Sequence, residues 1–271
     1  MLKKIILIVL SVVIVITGIT VYYFNSLTVS EDLIKECEEE LMQNNFREVS
    51  LTLSNGEVIE AVRAEFMGED TKLVNGDKVL SCGTDSPIIS LCQDGEYIYY
   101  SFYRDSWQNF VYRTDKDFSV NELYCITPVN FSSYIVVVDG VIYGRYVTGS
   151  DEGTHLSVYN LAKYDAEANQ LNIIAHETPG FDVKLFKDGL LYLVGYTENE
   201  IYTFDIENEV MEKLPFKLYD IGRYQYNSEK IELLSDNIIK VYSFRDDKNV
   251  YFKEEPVIYI FNTKTGRRCK V

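Results

Sequence analysis

The sequence has few of the histidine and cysteine side chains from which many catalytic and metal sites are built. It has two histidines, one tryptophan and five cysteines, with no Cys-x-x-Cys pair and no histidine at zinc spacing. No nucleophile elbow, metalloprotease helix, phosphate-binding loop or dinucleotide fingerprint occurs. We therefore predict no catalytic residue, no metal site and no cofactor. With five prolines and 46% hydrophobic residues, the chain is not compositionally disordered either.

Positive charge is also scarce. The sequence has 26 Lys and Arg against 42 Asp and Glu, which gives a net charge of -16. An acidic surface repels a phosphate backbone, so we predict that nucleic acid is not a partner. The 22 tyrosines and 14 phenylalanines favour β-strands, because aromatic side chains suit a half-buried pleated surface.

A long apolar run lies near the N-terminus. Residues 5–24 contain no charged side chain and are long enough to span a bilayer as a helix. Lys3 and Lys4 precede the run, which places the N-terminus in the cytoplasm. A cleaved signal peptide is the alternative, but its apolar core is shorter and ends at small residues, whereas no alanine precedes Ala61. We predict an uncleaved transmembrane signal-anchor in residues 1–27, with everything after it extracytoplasmic.

A short acidic segment at 28–45 links this anchor to the rest of the chain. We predict a helix over residues 30–44, with Ser30 as its N-cap. Three apolar residues fall on one stripe of this helix: Leu33, Cys37 and Leu41. We interpret the segment as a stalk that packs weakly on the domain, and a partner-binding helix is the alternative.

The odd number of cysteines leaves their pairing open. At most two disulfides can form, and Cys82 and Cys92, which flank a turn, could make one of them. Five unpaired, mostly buried thiols are an equally good interpretation.

A repeat organises the chain after residue 85. Alternating apolar runs flank a short turn in four units, and the turns lie 45 to 49 residues apart. Asp-Gly between two such runs is a strong hairpin signal. The first turns of the units are Asp94-Gly95, Asp139-Gly140, Asp188-Gly189 and Asp236-Asn237. A second turn in each unit follows Asp115, Asp165, Asp205 and Asn262.

Each unit therefore predicts four antiparallel strands joined by a tight turn, a variable loop and a second tight turn. Four strands in about 45 residues match one blade of a β-propeller. Residues 46–85 contain two more hairpin patterns, around Asn55-Gly56 and Asn75-Gly76, and form a degenerate fifth unit. We predict an all-β domain over residues 46–271, a small propeller of about five blades. Four blades with a cap, an open repeat array and a sandwich of hairpins are the alternatives.

The Asp-Gly turns and the aromatic-Asp strand ends resemble the repeats of quinoprotein-like and YVTN-type bacterial propellers. The element YRTD at 112–115 is similar to the YWTD element of receptor propellers, although it occurs once and lacks the tryptophan. The resemblance covers residues 86–271. It implies a blade fold and a binding or scaffold role, and it implies no particular ligand.

The variable loops predict where a ligand binds. Antiparallel strands put the first and third connections of every blade on one face and the second connections on the other, and the second connections differ most between units. We predict ligand contacts there, from Arg104, Trp107, His155, Arg245 and Tyr251. The alternative is that these loops are tolerated surface and that Trp107 packs between blades.

Two further patterns fall short of a complete site but bear on function. Alternating acids and amides from Asp115 to Asn121 suggest a calcium loop, but its sixth and twelfth positions are wrong, so we predict an ordinary turn. The first strands supply Asp182 and Glu232, which could serve a glycosidase. Our prediction is a non-catalytic module on a bacterial cell membrane that binds a protein or glycan; the alternative is a carbohydrate-active enzyme.

Overall fold

Twenty strands and one helix make up the described part of the computed structural model. The structure describes residues 30–42, 49–53, 55–62, 69–104, 108–150, 157–195, 200–217, 225–235, 237–246 and 256–271. The strands form five four-stranded antiparallel sheets, and the strands of each sheet are consecutive in the chain. First strands of successive sheets contact one another. The sheets are therefore the five blades of a β-propeller ring, with the first strand of each blade innermost.

The first two blades differ in strand length. Blade 1 consists of β1 (Ser50–Thr52), β2 (Val58–Val62), β3 (Lys72–Asn75) and β4 (Lys78–Ser81). Blade 2 consists of β5 (Ile88–Asp94), β6 (Tyr97–Arg104), β7 (Gln108–Asp115) and β8 (Asn121–Ile126). The degenerate unit of the sequence is thus a complete but short blade. The five-blade prediction is confirmed, and the alternatives of an open array, a sandwich and a cap are wrong.

The remaining blades have longer strands. Blade 3 consists of β9 (Phe131–Val138), β10 (Val141–Ser150), β11 (Ser157–Asp165) and β12 (Gln170–Thr178). Blade 4 consists of β13 (Phe181–Lys187), β14 (Leu190–Gly195), β15 (Glu200–Asp205) and β16 (Val210–Lys217). Blade 5 consists of β17 (Gln225–Ser235), β18 (Ile238–Asp246), β19 (Pro256–Asn262) and β20 (Arg268–Lys270).

The core of the protein lies between blades. Because both faces of a blade are covered in a ring, the strands carry apolar residues on both sides. Each of the four interfaces from blade 1 to blade 5 contains a pair of fully buried residues. The pairs are Leu73 and Tyr100 between blades 1 and 2, Val111 and Ile142 between blades 2 and 3, Leu161 and Leu191 between blades 3 and 4, and Ile201 and Ile239 between blades 4 and 5.

The first turns have the predicted Asp-Gly position in blades 3 and 4, and the turn of blade 2 departs from it. Asp139 and Gly140 both have positive φ, and so do their counterparts in blade 4. In blade 2 the strand continues through Asp94, and positive φ falls on Gly95 alone. The turn has moved by one residue, and the Asp94 carboxylate instead accepts a hydrogen bond from the Gly140 amide, 2.8 Å away.

The helix before blade 1, α1 (Glu31–Met42), begins where the sequence predicts. Ser30 caps it, because its hydroxyl accepts a hydrogen bond from the amide of Leu33 at 3.1 Å. The helix packs on the last blade, and its role as a stalk stays a prediction. Cys37 is fully buried against Ile258 and Ile260 of blade 5, because the apolar stripe of the helix faces that blade.

The predicted anchor, residues 5–24, lies outside the described residues. Among the residues that are described, no helix is both long and apolar enough to cross a membrane. All five cysteines are described, and no disulfide joins any two of them, so the predicted Cys82–Cys92 disulfide is not formed.

Candidate functional site

The two faces of the ring are defined by its connections. We call the face with the first and third connections the turn face, and the face with the second connections and the links between blades the loop face. Second connections after blade 1 span residues 105–107, 151–156, 196–199 and 247–255. Three of them are shorter than the sequence suggested, because the flanking strands extend further towards this face, and the connection of blade 4 keeps its length of four residues.

Two of the five predicted ligand contacts lie at or near strand ends of the loop face, and the other three lie outside the described residues. Arg104 is the last residue of β6, where it pairs with Gln108, and Arg245 pairs with Tyr226 near the end of β18. The other three residues fall in second connections that are not described: Trp107, His155 and Tyr251. The structure therefore brings two of the five to strand ends on one face, and their role stays a prediction.

A charged and aromatic cluster joins blades 3 and 4 close to the loop face. Arg145, on the second strand of blade 3, reaches the first strand of blade 4. Its Nη1 atom donates to the Phe181 carbonyl oxygen at 3.2 Å and lies 3.5 Å from Asp182 Oδ1. The same guanidinium lies over the ring of Tyr159, 5.3 Å from its centroid.

Lys184 completes this cluster on the innermost strand. Its Nζ atom lies 3.6 Å from Asp182 Oδ2 and 3.9 Å from the centroid of the Tyr134 ring. Only 7% of the Lys184 side chain is exposed, so its ammonium group is held by a carboxylate and a ring face. We call Tyr134, Arg145, Tyr159, Asp182 and Lys184 the inner cluster.

The second predicted acid is paired in a different place. Glu232 Oε2 lies 2.9 Å from Lys240 Nζ, and the two residues are direct cross-strand partners in blade 5. Asp182, in turn, lies between Arg145 and Lys184. Each of the two acids is therefore matched with its own cations. The two acids therefore belong to separate ion pairs, one between blades 3 and 4 and one within blade 5.

Buried polar side chains hold the strand ends at the loop face. Asn160 donates to the Tyr146 carbonyl and to Thr148 Oγ1, and it accepts from the Glu177 amide. Glu200, which is 1% exposed, lies 2.5 Å from Lys213 Nζ and accepts from the Tyr202 hydroxyl at 2.6 Å.

Asn109 has the same role in blade 2. Its amide group donates to the Phe131 carbonyl at 2.7 Å and to Thr127 Oγ1 at 3.3 Å, which fastens β7 to the link into blade 3. The three residues are buried polar side chains, but their strands carry other polar residues as well, so the sequence pattern did not single them out.

Aspartates at the ends of third strands accept hydrogen bonds within the connections of the turn face. Asp165 Oδ1 accepts from the Ala168 amide at 2.9 Å, and Asp205 Oδ1 accepts from the Glu207 and Asn208 amides at 2.9 and 3.0 Å. The repeated Asp or Asn at the end of the third strand is therefore a turn former rather than a ligand.

The suspected calcium loop is one of these turns. Asp115 accepts from the amide and the hydroxyl of Ser119, and Asp117 pairs with Lys78 of blade 1. Asn121 accepts from the Tyr100 hydroxyl. The oxygens do not converge on one point, and the described residues contain no cluster of three or more His, Cys, Asp or Glu suited to a metal ion.

The buried thiols are poor nucleophiles. Burial raises the pKa of Cys82 to about 11 and that of Cys92 and Cys125 to about 12. At neutral pH these groups stay protonated, whereas the thiolate is the reactive form. They serve as small apolar residues of the blade interfaces.

Comparisons with known proteins identify the architecture and nothing finer. No protein-family model matches the sequence, and no curated protein is significantly similar to it. Among solved structures, TolB from Acinetobacter baumannii is 12% identical with a TM-score of 0.54; the match covers 79% of this chain but 52% of TolB, so the chain spans about half of that protein.

Two further structures are similar at the same level. A chain of a nidogen/laminin complex is 12% identical with a TM-score of 0.53, and the match covers 81% of this chain and 77% of that one. The GH74 xyloglucanase from Xanthomonas campestris is 9% identical with a TM-score of 0.51, covering 80% of this chain and 36% of the enzyme. At these identities the likeness concerns the propeller fold alone.

Proposed function

We propose that this propeller is a non-catalytic binding module for a protein ligand, held on the outer side of a bacterial cytoplasmic membrane by residues 5–24. The observation that carries the proposal is the difference between its two faces. Connections on the turn face are short and satisfy their own hydrogen bonds, as Asp165 and Asp205 illustrate. Second connections on the loop face vary from three to nine residues, although all five blades share the same four-stranded arrangement.

The inner cluster favours a ligand with polar groups. Arg145 is a planar multiple donor that lies over a tyrosine ring, and arginine and tyrosine are among the residues most enriched at binding hot spots. A protein ligand is preferred to a glycan because one similar propeller comes from a protein complex, that of nidogen with laminin. We expect the ligand to approach the loop face across blades 2 to 5, which carry the predicted contacts and the inner cluster.

Site-specific photocrosslinking in the full-length protein tests which face binds. A photoreactive amino acid placed at Arg104 or Arg245 should give the same adduct in intact cells, because both positions end strands at the loop face. The matched control is Glu167, which is exposed in a third connection on the turn face. An adduct from position 167 and none from 104 or 245 would move the site to the turn face.

The membrane attachment is tested separately. We expect residues 5–24 to be retained in the mature protein, because the run is longer than a signal-peptide core and lacks a cleavage site. N-terminal sequencing of the protein from membrane fractions measures this. A mature N-terminus between residues 18 and 30 contradicts the anchor and leaves the binding face untouched.

A carbohydrate-active enzyme is the second candidate, favoured by the similarity to a xyloglucanase. Against it stands the pairing of Asp182 and Glu232 with separate cations. Incubation of the purified protein with xyloglucan and related glycans should release no sugar. Hydrolysis that disappears in the Asp182→Asn variant would establish the enzyme instead.

A further inference from the structure

One side of blade 5, the last blade of the ring, is covered by a helix and not by a neighbouring blade. One face of blade 5 carries Ile239, Val241 and Phe261, which pack against blade 4 as each blade packs against its predecessor. The opposite face carries Ile258 and Ile260, and both are fully buried. In a ring, this second face points towards blade 1.

Helix α1 is what buries it. Cys37, Ile258 and Ile260 form one core cluster, with Leu33 and Ile238 packed around it. Two residues at the end of the chain, Cys269 and Val271, complete the same cluster. The charged residues of the helix point away from the blade, because Asp32, Glu36 and Glu38 are exposed.

Blade 1 does not supply the missing partner in the described part of the chain. Its residues Ile59, Ala61 and Leu73 face blade 2. On the opposite side, Val58 is 43% and Val79 is 58% exposed. No core cluster of the described residues contains side chains from both blade 1 and blade 5.

The chain path gives the helix a particular importance. Every blade is built from four consecutive strands, so no strand is shared between the first and last blades. Helix α1 ends at Met42, and β1 begins at Ser50. The segment packed on the last blade is therefore joined through a short connection to the first blade.

We propose that helix α1 is the clasp of the propeller: it closes the ring by fastening the start of blade 1 to the outer half of blade 5. A helix of 12 residues is marginal on its own, so it depends on the apolar contact made by Leu33 and Cys37. When the clasp opens, the outer strands of blade 5 lose their cover, and blade 1 loses its tie to the opposite side of the ring. Both ends of the ring therefore loosen in one step, although they are the most distant parts of the sequence.

Hydrogen exchange of the full-length protein tests the clasp. Leu33→Gln weakens the packed side of the helix, and Glu38→Gln, which puts the same residue on the exposed side, is the matched control. Leu33→Gln should raise exchange about tenfold, the effect of losing one partly buried leucine side chain, in the helix, in β19–β20 and in β1–β4. Blade 3 should be unchanged, and the control should match the parent everywhere.

The outcome in blade 1 decides the proposal. Faster exchange in the helix and in β19–β20 with no change in β1–β4 would mean that the helix only covers blade 5, and the clasp would be wrong. Unchanged exchange in all three regions would also overturn it.

A measurement on the parent protein covers the case in which Leu33→Gln does not fold. Exchange is followed across low urea concentrations, at which cooperative units open separately before global unfolding. A clasp requires the slowest amides of helix α1, β19 and blade 1 to share one opening free energy and one urea dependence. If blade 1 opens on a different urea dependence from the helix and β19, the proposal fails.

Discussion

On the turn face, each of several third strands ends in an Asp or Asn that accepts hydrogen bonds from amides two to four residues further on, as in Asp205. On the loop face, buried polar side chains such as Asn160 join a strand end to backbone groups of both neighbouring strands. The first kind of bond needs only local sequence, and the second needs the blade to be assembled. We therefore expect the strands to tolerate changes in the second connections better than changes in the turns of the other face.

The largest effect is expected where the loop face depends on assembled strands. Asn160→Leu keeps the approximate volume of the side chain but leaves the Tyr146 carbonyl and the Glu177 amide without their partner. Unfolding free energy should fall by about 2 to 3 kcal/mol, because the Asn160 side chain is buried and a polar group that loses its partner beside it costs about 1 to 3 kcal/mol. Urea unfolding measures it, with the exposed Gln170→Leu in the same blade as control. If the variant is as stable as the parent, the loop face does not depend on hydrogen bonds between assembled strands.

A smaller loss is expected from a turn. Gly140 has φ of +76°, its amide donates to Asp94, and its carbonyl accepts from the Tyr124 hydroxyl at 2.6 Å. Gly140→Val should cost about 1 to 3 kcal/mol, because a β-branched residue is strained at positive φ. Thermal melts measure it against Glu96→Val, which changes a first-turn residue of blade 2 without positive φ. Equal melting points for the two variants would show that the turn geometry is not what stabilises this face.

These two positions also show how far the sequence could predict the structure. The Gly140 turn and the acceptor role of Asp205 were predictable, because hairpin turns have local residue preferences. The inner cluster was not, because Arg145 and Lys184 meet Asp182 only after two blades pack together. Likewise the stripe of Cys37 predicted an apolar helix face but not its partner, since Ile260 is more than two hundred residues further along the chain.

A still smaller loss of stability is expected when acid protonates the aspartates of the turn face. The side chain of Asn208 lowers the pKa of Asp205, and the Ser119 hydroxyl lowers that of Asp115. Their folded pKa values lie below the unfolded value of about 3.9, so the stabilisation is complete above that pH and is lost as pH falls through the folded values. Both carboxylates are exposed, so solvent screens the effect.

Urea unfolding between pH 5 and pH 2 measures this loss. Asp205→Asn keeps the acceptor oxygen of the turn but cannot titrate, so its stability should fall less steeply with acid than that of the parent. Identical slopes would show that Asp205 does not contribute to acid sensitivity.

The smallest change in stability is expected from the loops themselves. Replacing residues 151–156 by a Gly-Ser segment of equal length should change the unfolding free energy by less than about 0.5 kcal/mol, because the strands beneath it end at Ser150 and Ser157 and are held by Asn160. The same replacement of residues 206–209 on the turn face should destabilise the protein clearly, because it removes the Asn208 side chain that bonds to Asp205 and makes the backbone that presents the two bonding amides more flexible. If the two replacements cost the same, the second connections are part of the scaffold and the ligand site must lie elsewhere. If only the first is tolerated and it also abolishes the crosslinked adduct from Arg104 and Arg245, then the segment that contributes least to stability contributes most to binding.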